Sequence, residues 1–134
     1  MDERPSEIKE YAMGLVVRAG NLLMNEFRSL APEDIRLKSK REIVTKADLN
    51  VNKFLTSKIK KAYPDHSILS EESGLSQKKK SRFLWVIDPL DGTTNYTMRM
   101  TFFSTTVALL DNGEPVIGII YAPYTRELFV AEKG

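Results

Sequence analysis

The sequence predicts an α+β fold in which two helices are layered on one face of an antiparallel β-sheet. Two stretches with apolar residues at helical spacing come first, and several short apolar runs of strand length follow them. Turn-forming residues separate those runs, which is typical of strands joined by hairpins. The 134 residues suffice for one domain with its own hydrophobic core.

Pro5 and Ser6 precede the first predicted helix as start signals, and Pro32 closes that segment. Glu7 and Glu10 favour the positive end of the helix dipole. The apolar residues recur at intervals of three and four, at Ile8, Tyr11, Ala12, Leu15, Val16, Ala19, Leu22, Leu23 and Phe27. This stripe predicts the face that is buried against the sheet.

The second helix is predicted from Ala47 to Ala62, where the turn sequence YPDHS ends it. Its buried face is formed by Val51, Phe54, Leu55, Ile59 and Ala62. The only histidine, His66, lies beside Pro64 and Asp65 and is interpreted as a turn residue.

Strand-length apolar runs fill most of the remaining chain. They occur at residues 67–69, 83–88, 103–110, 115–122 and 127–131, and short pieces at 35–37 and 43–44 predict a further hairpin. The charged stretch at 74–82 is interpreted as a solvated turn, with a functional basic patch as the alternative.

Composition excludes several classes of function. The chain has no cysteine, which rules out disulfides, thiolate metal sites and cysteine nucleophiles. One histidine and no G-x-S-x-G sequence leave nucleophilic triads without support. A net charge of +2, spread along the chain, argues against a nucleic-acid partner. No apolar run reaches the roughly 18 residues of a membrane span, and the charged amino terminus predicts a cytoplasmic protein.

Two aspartates surround a proline in the stretch WVIDPLDGTTNYT. Asp88 ends a predicted buried strand, Pro89 rigidifies the turn, and Asp91 follows, so both carboxylates can point to one side. Mg²⁺ prefers such oxygen ligands and takes one or two carboxylates together with water and substrate phosphate. Residues 92–94 could open a short helix whose free N–H groups bind an anion. The alternative is that Asp-Pro and Asp-Gly simply form a turn.

A second acidic pair strengthens the interpretation as a metal site. Glu71 and Glu72 directly follow another predicted strand, and carboxylates at the ends of neighbouring strands can converge on one ion. We interpret Glu71 as a ligand and, from the residues alone, Glu72 as part of an exposed loop. Asp48 lies where the second helix begins. An aspartate at that position is also explained by helix capping and by the helix dipole.

The chain resembles the inositol monophosphatase family of Mg²⁺-dependent, lithium-sensitive phosphatases. The signature DPLDGTTNY at 88–96 carries the resemblance, together with SEESG at 70–74. In family order, LKSKREIVTKAD at 37–48 precedes them and GIIYAPYTRELFVAEKG at 118–134 follows. The resemblance covers essentially the whole chain.

The resemblance implies a role for each acidic residue. Glu71 and Asp88, with the backbone carbonyl of Leu90, would bind a first Mg²⁺, and Asp88 and Asp91 would contribute to a second. Glu71 also counts among the catalytic residues. Glu72 matches the second acid of its pair and is peripheral.

Further roles follow for the phosphate and the attacking water. Gly92 and Thr93 would offer backbone N–H groups to the phosphate, close to Asp91. Thr93, paired with Asp48, would help to activate the water. Lys38 matches a family lysine near the phosphate and the metals.

The resemblance implies a phosphoric monoester hydrolase that acts on inositol monophosphate through metal-activated water. It also implies a homodimer, and it makes residues 1–134 the amino-terminal metal- and phosphate-binding domain of a longer sugar-phosphatase fold. Fructose-1,6-bisphosphatase activity is the alternative within the superfamily. A fragment that binds metal without turnover and an RNA-binding role for Lys78–Lys80 are alternatives from other classes.

Overall fold

The computed structural model describes residues 4–37, 43–76 and 81–134. In chain order the elements are α1 (Pro5–Arg28), a 3₁₀ turn (Pro32–Asp34), β1 (Ile35–Leu37), β2 (Ile43–Thr45), α2 (Lys46–Ala62), β3 (Ser67–Ser70), β4 (Gly74–Ser76), β5 (Phe83–Asp91), α3 (Thr93–Thr97), β6 (Ser104–Asp111), β7 (Glu114–Ala122) and β8 (Glu127–Glu132). Helices α1 and α2 pack on one face of the sheet, so the predicted α+β layering is confirmed.

The main sheet has six strands in the order β4-β3-β5-β6-β7-β8, and β1 pairs with β2 in a separate hairpin. All neighbours are antiparallel except β3 and β5, which are parallel. This pair differs from the predicted antiparallel sheet. It arises because β4 folds back along the outer side of β3, so the chain enters β5 in the direction of β3.

The short edge strand β4 was not predicted, because its residues belong to the stretch interpreted as a solvated turn. Its three residues are all exposed and pair with β3 through the backbone, so no apolar pattern marks them. The basic run Lys78–Lys80, predicted as part of the same turn, lies outside the described residues.

Helix α1 follows the predicted stripe closely. Pro5 lies in its first turn, and Ile8 and Val16 are among the residues buried at the sheet. Gly20 allows the helix to approach β7 closely, since a methyl group placed on it would lie 2.3 Å from Cε2 of Tyr121. The stripe and this contact together set how α1 lies on the sheet.

Helix α2 begins at Lys46, one residue before the predicted start, and ends as predicted at Ala62. Thr45 caps it, because its hydroxyl accepts the Asp48 N–H at 3.1 Å while the Asp48 carboxylate accepts the Thr45 N–H at 2.8 Å. The cap holds the start of α2 beside β2.

His66 is a core residue, which corrects its interpretation as a turn residue. Its side chain is 5% exposed, and Nδ1 accepts a hydrogen bond of 2.9 Å from Nε1–H of Trp85. The imidazole also stacks on Tyr63, with ring centroids 4.7 Å apart. Its neighbours Pro64 and Asp65 do form the turn, but a buried indole N–H needs an acceptor, and His66 provides it.

The face of the sheet opposite the helices carries exposed apolar side chains. Ile120 on β7 is 45% exposed and Phe129 on β8 is 54% exposed. They line a shallow apolar groove of about 390 Å³ together with residues of β6. Among the helices of the described chain, none is both long and apolar enough to cross a membrane.

Candidate active site

The parallel pair β3 and β5 brings the two acidic stretches together. Ser70 lies opposite Ile87, so Glu71 and Asp88 are the next residues on adjacent strands. The backbone N–H of Glu71 donates to the Ile87 carbonyl at 3.2 Å, and the side chains of Glu71 and Asp88 share a hydrogen bond. The condition for the two acidic stretches to meet, that their strands are neighbours, is therefore met.

Asp88 occupies an environment that disfavours its charge. Burial raises the pKa of its carboxyl to about 7, and the hydrogen bond to Glu71 and the charges of Glu71 and Asp91 act in the same direction. Its Oδ1 atom is buried and, within the described part of the chain, has no hydrogen-bond partner. A buried carboxylate oxygen without a partner is costly unless a cation or another donor satisfies it.

Strand β5 continues to Asp91, so Pro89 lies within an irregular strand and not in a turn as predicted. Asp88 pairs with Thr106 and Asp91 with Ser104, which places three steps of β5 against two of β6. Thr106 and Ser104 are two residues apart on β6, so they lie on the same side of the sheet. Asp88 and Asp91 face these two residues, so the bulge turns both carboxylates to that side. The predicted common orientation of Asp88 and Asp91 is thus present, and the bulge produces it.

Pro89 has no N–H for the ladder, but its carbonyl is still satisfied. It accepts a hydrogen bond of 2.8 Å from the hydroxyl of Thr105, which is fully buried. A side chain on β6 therefore stabilises the bulge where the backbone pairing is interrupted.

Gly92 makes the turn from β5 into α3, the short helix that was expected at this point. Its φ of 88° is in the left-handed region, which favours glycine. A methyl group there would also lie 2.9 Å from the carbonyl oxygen of Phe102. Both constraints place the first free N–H groups of α3 next to Asp91.

Asp48 and Thr93 come together across the site. Oδ2 of Asp48 accepts the hydroxyl of Thr45 at 2.9 Å, while Oδ1 lies 3.5 Å from Oγ1 of Thr93. The Thr93 hydroxyl is closer to the Leu90 carbonyl, at 3.2 Å. The capping role of Asp48 is therefore real, and the same fully buried carboxylate also faces Thr93.

The remaining predicted residues lie at different depths. Glu72 is half-buried, and its backbone N–H is 3.3 Å from the hydroxyl oxygen of Ser70. The carbonyl of Leu90 accepts from Thr93, while its side chain is buried in the core. Lys38, predicted near the phosphate, lies outside the described residues.

Sequence reasoning missed a buried polar pair behind the acidic turn. The Ser70 hydroxyl donates to Oδ1 of Asn52 on α2, and both side chains are buried. Because Ser70 also receives the Glu72 N–H, the pair holds the backbone on both sides of Glu71. The only signal was an asparagine within the apolar stripe of α2, and nothing in the sequence connected it to Ser70.

Two of the acidic side chains, those of Glu71 and Asp88, share a hydrogen bond. Across residues 4–37, 43–76 and 81–134, no group of three or more aspartate, glutamate, histidine or cysteine side chains is arranged to hold a metal ion. The site provides hard oxygen donors, and one of them, the buried Oδ1 of Asp88, has no hydrogen-bond partner among the described residues.

The raised pKa of Asp88 predicts how metal-free stability depends on pH. Because the folded protein binds this proton more tightly than the unfolded chain, the free energy of unfolding should fall as pH rises from 3.8 to about 7. Urea unfolding in a chelator at several pH values measures this. The Asp88→Asn variant isolates the contribution, since the difference between it and the original chain must change across that window. A constant difference would contradict the prediction.

Comparison with known proteins finds matches over most of the chain. A model of the inositol monophosphatase family matches residues 4–134. The Nus factor SuhB of Xylella fastidiosa is 39% identical over 116 residues, which are 87% of this chain and 42% of that protein. The Nus factor SuhB of Escherichia coli is 34% identical over 117 residues, 87% of this chain and 44% of that protein.

Solved structures show the same relationship. The extragenic suppressor protein suhB of Bartonella henselae superposes with a TM-score of 0.91 at 32% identity, covering 96% of this chain and 50% of that one. An inositol monophosphatase from Anabaena superposes with a TM-score of 0.80 at 34% identity, covering 96% of this chain and 45% of that one. The chain spans about half the length of the relatives that it matches. By the family model and these likenesses, the chain belongs to the inositol monophosphatase family.

Proposed function

We propose that this protein takes part in Mg²⁺-dependent hydrolysis of a phosphate monoester at the site around Asp88. The observation that carries the proposal is the buried Oδ1 of Asp88, which has no partner among the described residues although Glu71 and Asp91 lie beside it. A divalent cation would satisfy that oxygen and would favour the charged carboxylate.

The proposed donors are carboxylate and carbonyl oxygens, which are the ligand types that Mg²⁺ prefers. Glu71, Asp88 and the Leu90 carbonyl would hold one ion, and Asp88 and Asp91 would contribute to a second. In the metal-free protein, Glu71 and Asp88 share a hydrogen bond. On binding a cation, the two acids would release the proton of that bond. When bound, the metal supplies an activated water molecule and neutralises charge on the phosphate.

The other residues would position the phosphate and the water. The N–H groups of Gly92 and Thr93 would bind phosphate oxygens, and Lys38 would add a positive charge nearby. The Thr93 hydroxyl, 3.5 Å from Asp48 Oδ1, would pass a proton from the attacking water towards that carboxylate.

Inositol monophosphate is the proposed substrate, with fructose 1,6-bisphosphate as the alternative. Support comes from relatives in this family that carry the name inositol monophosphatase, such as the Anabaena protein. We propose residues 1–134 as the metal- and phosphate-binding domain of that activity. A homodimer in the cytoplasm completes the proposal, and the exposed apolar Ile120 and Phe129 support self-association.

A non-catalytic role is the second candidate. The relatives from Xylella fastidiosa and Escherichia coli carry the name Nus factor and not that of an enzyme. In this role the chain would bind metal without turnover, and the site would stabilise a surface that a partner recognises.

Two neighbouring threonines on α3 allow a sharp test. Thr93 faces Asp48, whereas Thr94 is exposed. We expect Thr93→Ala to lower Mg²⁺-dependent phosphate release from inositol 1-phosphate by about 100-fold, Thr94→Ala to leave it unchanged, and lithium to inhibit it. Release should be compared with that from fructose 1,6-bisphosphate.

Each outcome has a distinct meaning. Faster release from the bisphosphate would replace the proposed substrate. Mg²⁺ binding by calorimetry without any release would favour the non-catalytic role. Equal activity of the Thr93 and Thr94 variants would remove Thr93 from the mechanism.

A further inference from the structure

A second cavity, of about 730 Å³, lies between the carboxyl-terminal end of α1 and the turn that joins β7 to β8. Three arginines line it: Arg28 from α1, Arg99 from the segment after α3, and Arg126 from the turn. Among the described residues that line it, none is acidic. Its volume is in the range of small-molecule sites, and its charge suits an anion.

Within the described residues, two of the three guanidinium groups have no hydrogen-bond or ion-pair partner. The side chains of Arg28 and Arg126 are exposed, and neither has an ion-pair or hydrogen-bond partner in the described ranges. Arg99 differs, because its Nη1 donates to the Phe27 carbonyl and its guanidinium lies 5.7 Å from the Phe27 ring centroid. One arginine is therefore fixed and two are free to bind.

The backbone at two of these arginines is strained. Arg99 has φ of 63° and Arg126 has φ of 59°, in the left-handed region that side chains with a Cβ disfavour. Backbone hydrogen bonds hold both conformations, from Arg99 N–H to Tyr96 and from Arg126 N–H to Pro123. Strain of this kind concentrates at ligand sites.

Aromatic rings form the rest of the wall. Tyr124 is 52% exposed at the rim, and its ring centroid lies 6.4 Å from that of Phe27. Tyr121 packs against Gly20 of α1 and is 6% exposed, so its ring forms a packed wall on this side of the cavity. The planar ring of a ligand could stack on Tyr124 while an anionic group on the same ligand contacts the arginines.

We propose that this cavity binds a phosphate ester that carries a planar ring, of the class of a nucleoside monophosphate. Arg28, Arg99 and Arg126 bind the phosphate, and Tyr124 stacks on the ring. None of the lining residues belongs to the site around Asp88.

A simpler explanation assigns the arginines to the end of α1, where cations favour the exposed carbonyls of a helix. That explanation covers Arg28 and Arg99. It does not cover Arg126, which lies on the β7–β8 turn beside the aromatic rim. Arg126 is therefore the residue that separates the two explanations.

The test is titration calorimetry with adenosine 5′-monophosphate in the presence of a chelator, which removes any metal-dependent binding elsewhere. We expect one saturable site. Its affinity for the nucleotide should fall about tenfold in Arg126→Gln and further when Arg28→Gln is added. Arg4→Gln is the matched control, since Arg4 is an exposed arginine at the opposite end of α1. Thermal unfolding of each variant establishes that it is folded.

The Tyr124→Ala variant tests the proposed stacking on the Tyr124 ring separately. It should weaken the binding of the nucleotide but not the binding of inorganic phosphate. No saturable binding at millimolar nucleotide would overturn the proposal, as would equal binding by the original chain and Arg126→Gln. Inorganic phosphate that binds as tightly as the nucleotide would overturn the planar-ring assignment.

Discussion

Asp88→Asn is expected to abolish the response to Mg²⁺ and to stabilise the metal-free protein at the same time. The side chain is half-buried, its buried Oδ1 has no partner among the described residues, and its pKa is raised to about 7. A neutral amide of the same shape removes the charge that burial and the acidic neighbours disfavour. It also removes a carboxylate oxygen that would help to hold the proposed Mg²⁺, which should cost about 100-fold in phosphate release.

Thermal unfolding near neutral pH, with and without Mg²⁺, measures both effects. The original chain should gain stability on adding Mg²⁺, whereas the Asn variant should start higher and gain nothing. Asp65→Asn is the control, because Asp65 is an exposed turn aspartate before β3, at the opposite end of that strand from Glu71. An Asn variant that still gains stability from Mg²⁺ would show that Asp88 is not a ligand.

Two glycines on α1 are expected to respond to alanine with opposite signs. A methyl group on Gly20 would lie 2.3 and 2.5 Å from the Tyr121 ring, whose residue is only 6% exposed. Relieving that overlap means moving α1 or the ring, at a cost of about 1–3 kcal/mol. Gly14 has no atom within 4 Å of its added methyl group, so alanine should stabilise the helix by about 0.5–1 kcal/mol.

Urea unfolding of the two variants provides the comparison within one helix. The control is internal, because the two substitutions are chemically identical and differ only in what the new methyl group meets. If both variants were stabilised, Tyr121 would have room to move and the close approach of α1 to β7 would not constrain the fold.

The helices were predictable because their signals are local. The apolar stripe of α1 and the cap of Thr45 on Asp48 act over one or two turns, so both helices have nearly the predicted bounds. Strand pairing is not local in this sense. The parallel pairing of β3 with β5 depends on β4, whose three exposed residues carry no pattern.

The site was predictable to the extent that its residues end strands. Glu71 and Asp88 were expected to meet if their strands were neighbours, and they do. The bulge between Asp88 and Asp91 could not be read from the sequence, because the same residues also form turns. His66 was misjudged for a similar reason, since turn residues surround it while its own side chain is buried against Trp85.

The contact of α1 with β7 also orders events during synthesis. About 100 residues separate Gly20 from Tyr121, so at typical rates of translation Tyr121 is synthesised roughly 5 to 20 s after Gly20. Throughout that interval the apolar stripe of α1 lacks the sheet that buries it in the finished protein. The nascent helix is therefore exposed to chaperones and to aggregation. Changes that make its stripe more apolar should lower the yield of folded chain even where they leave the stability of the folded protein unchanged.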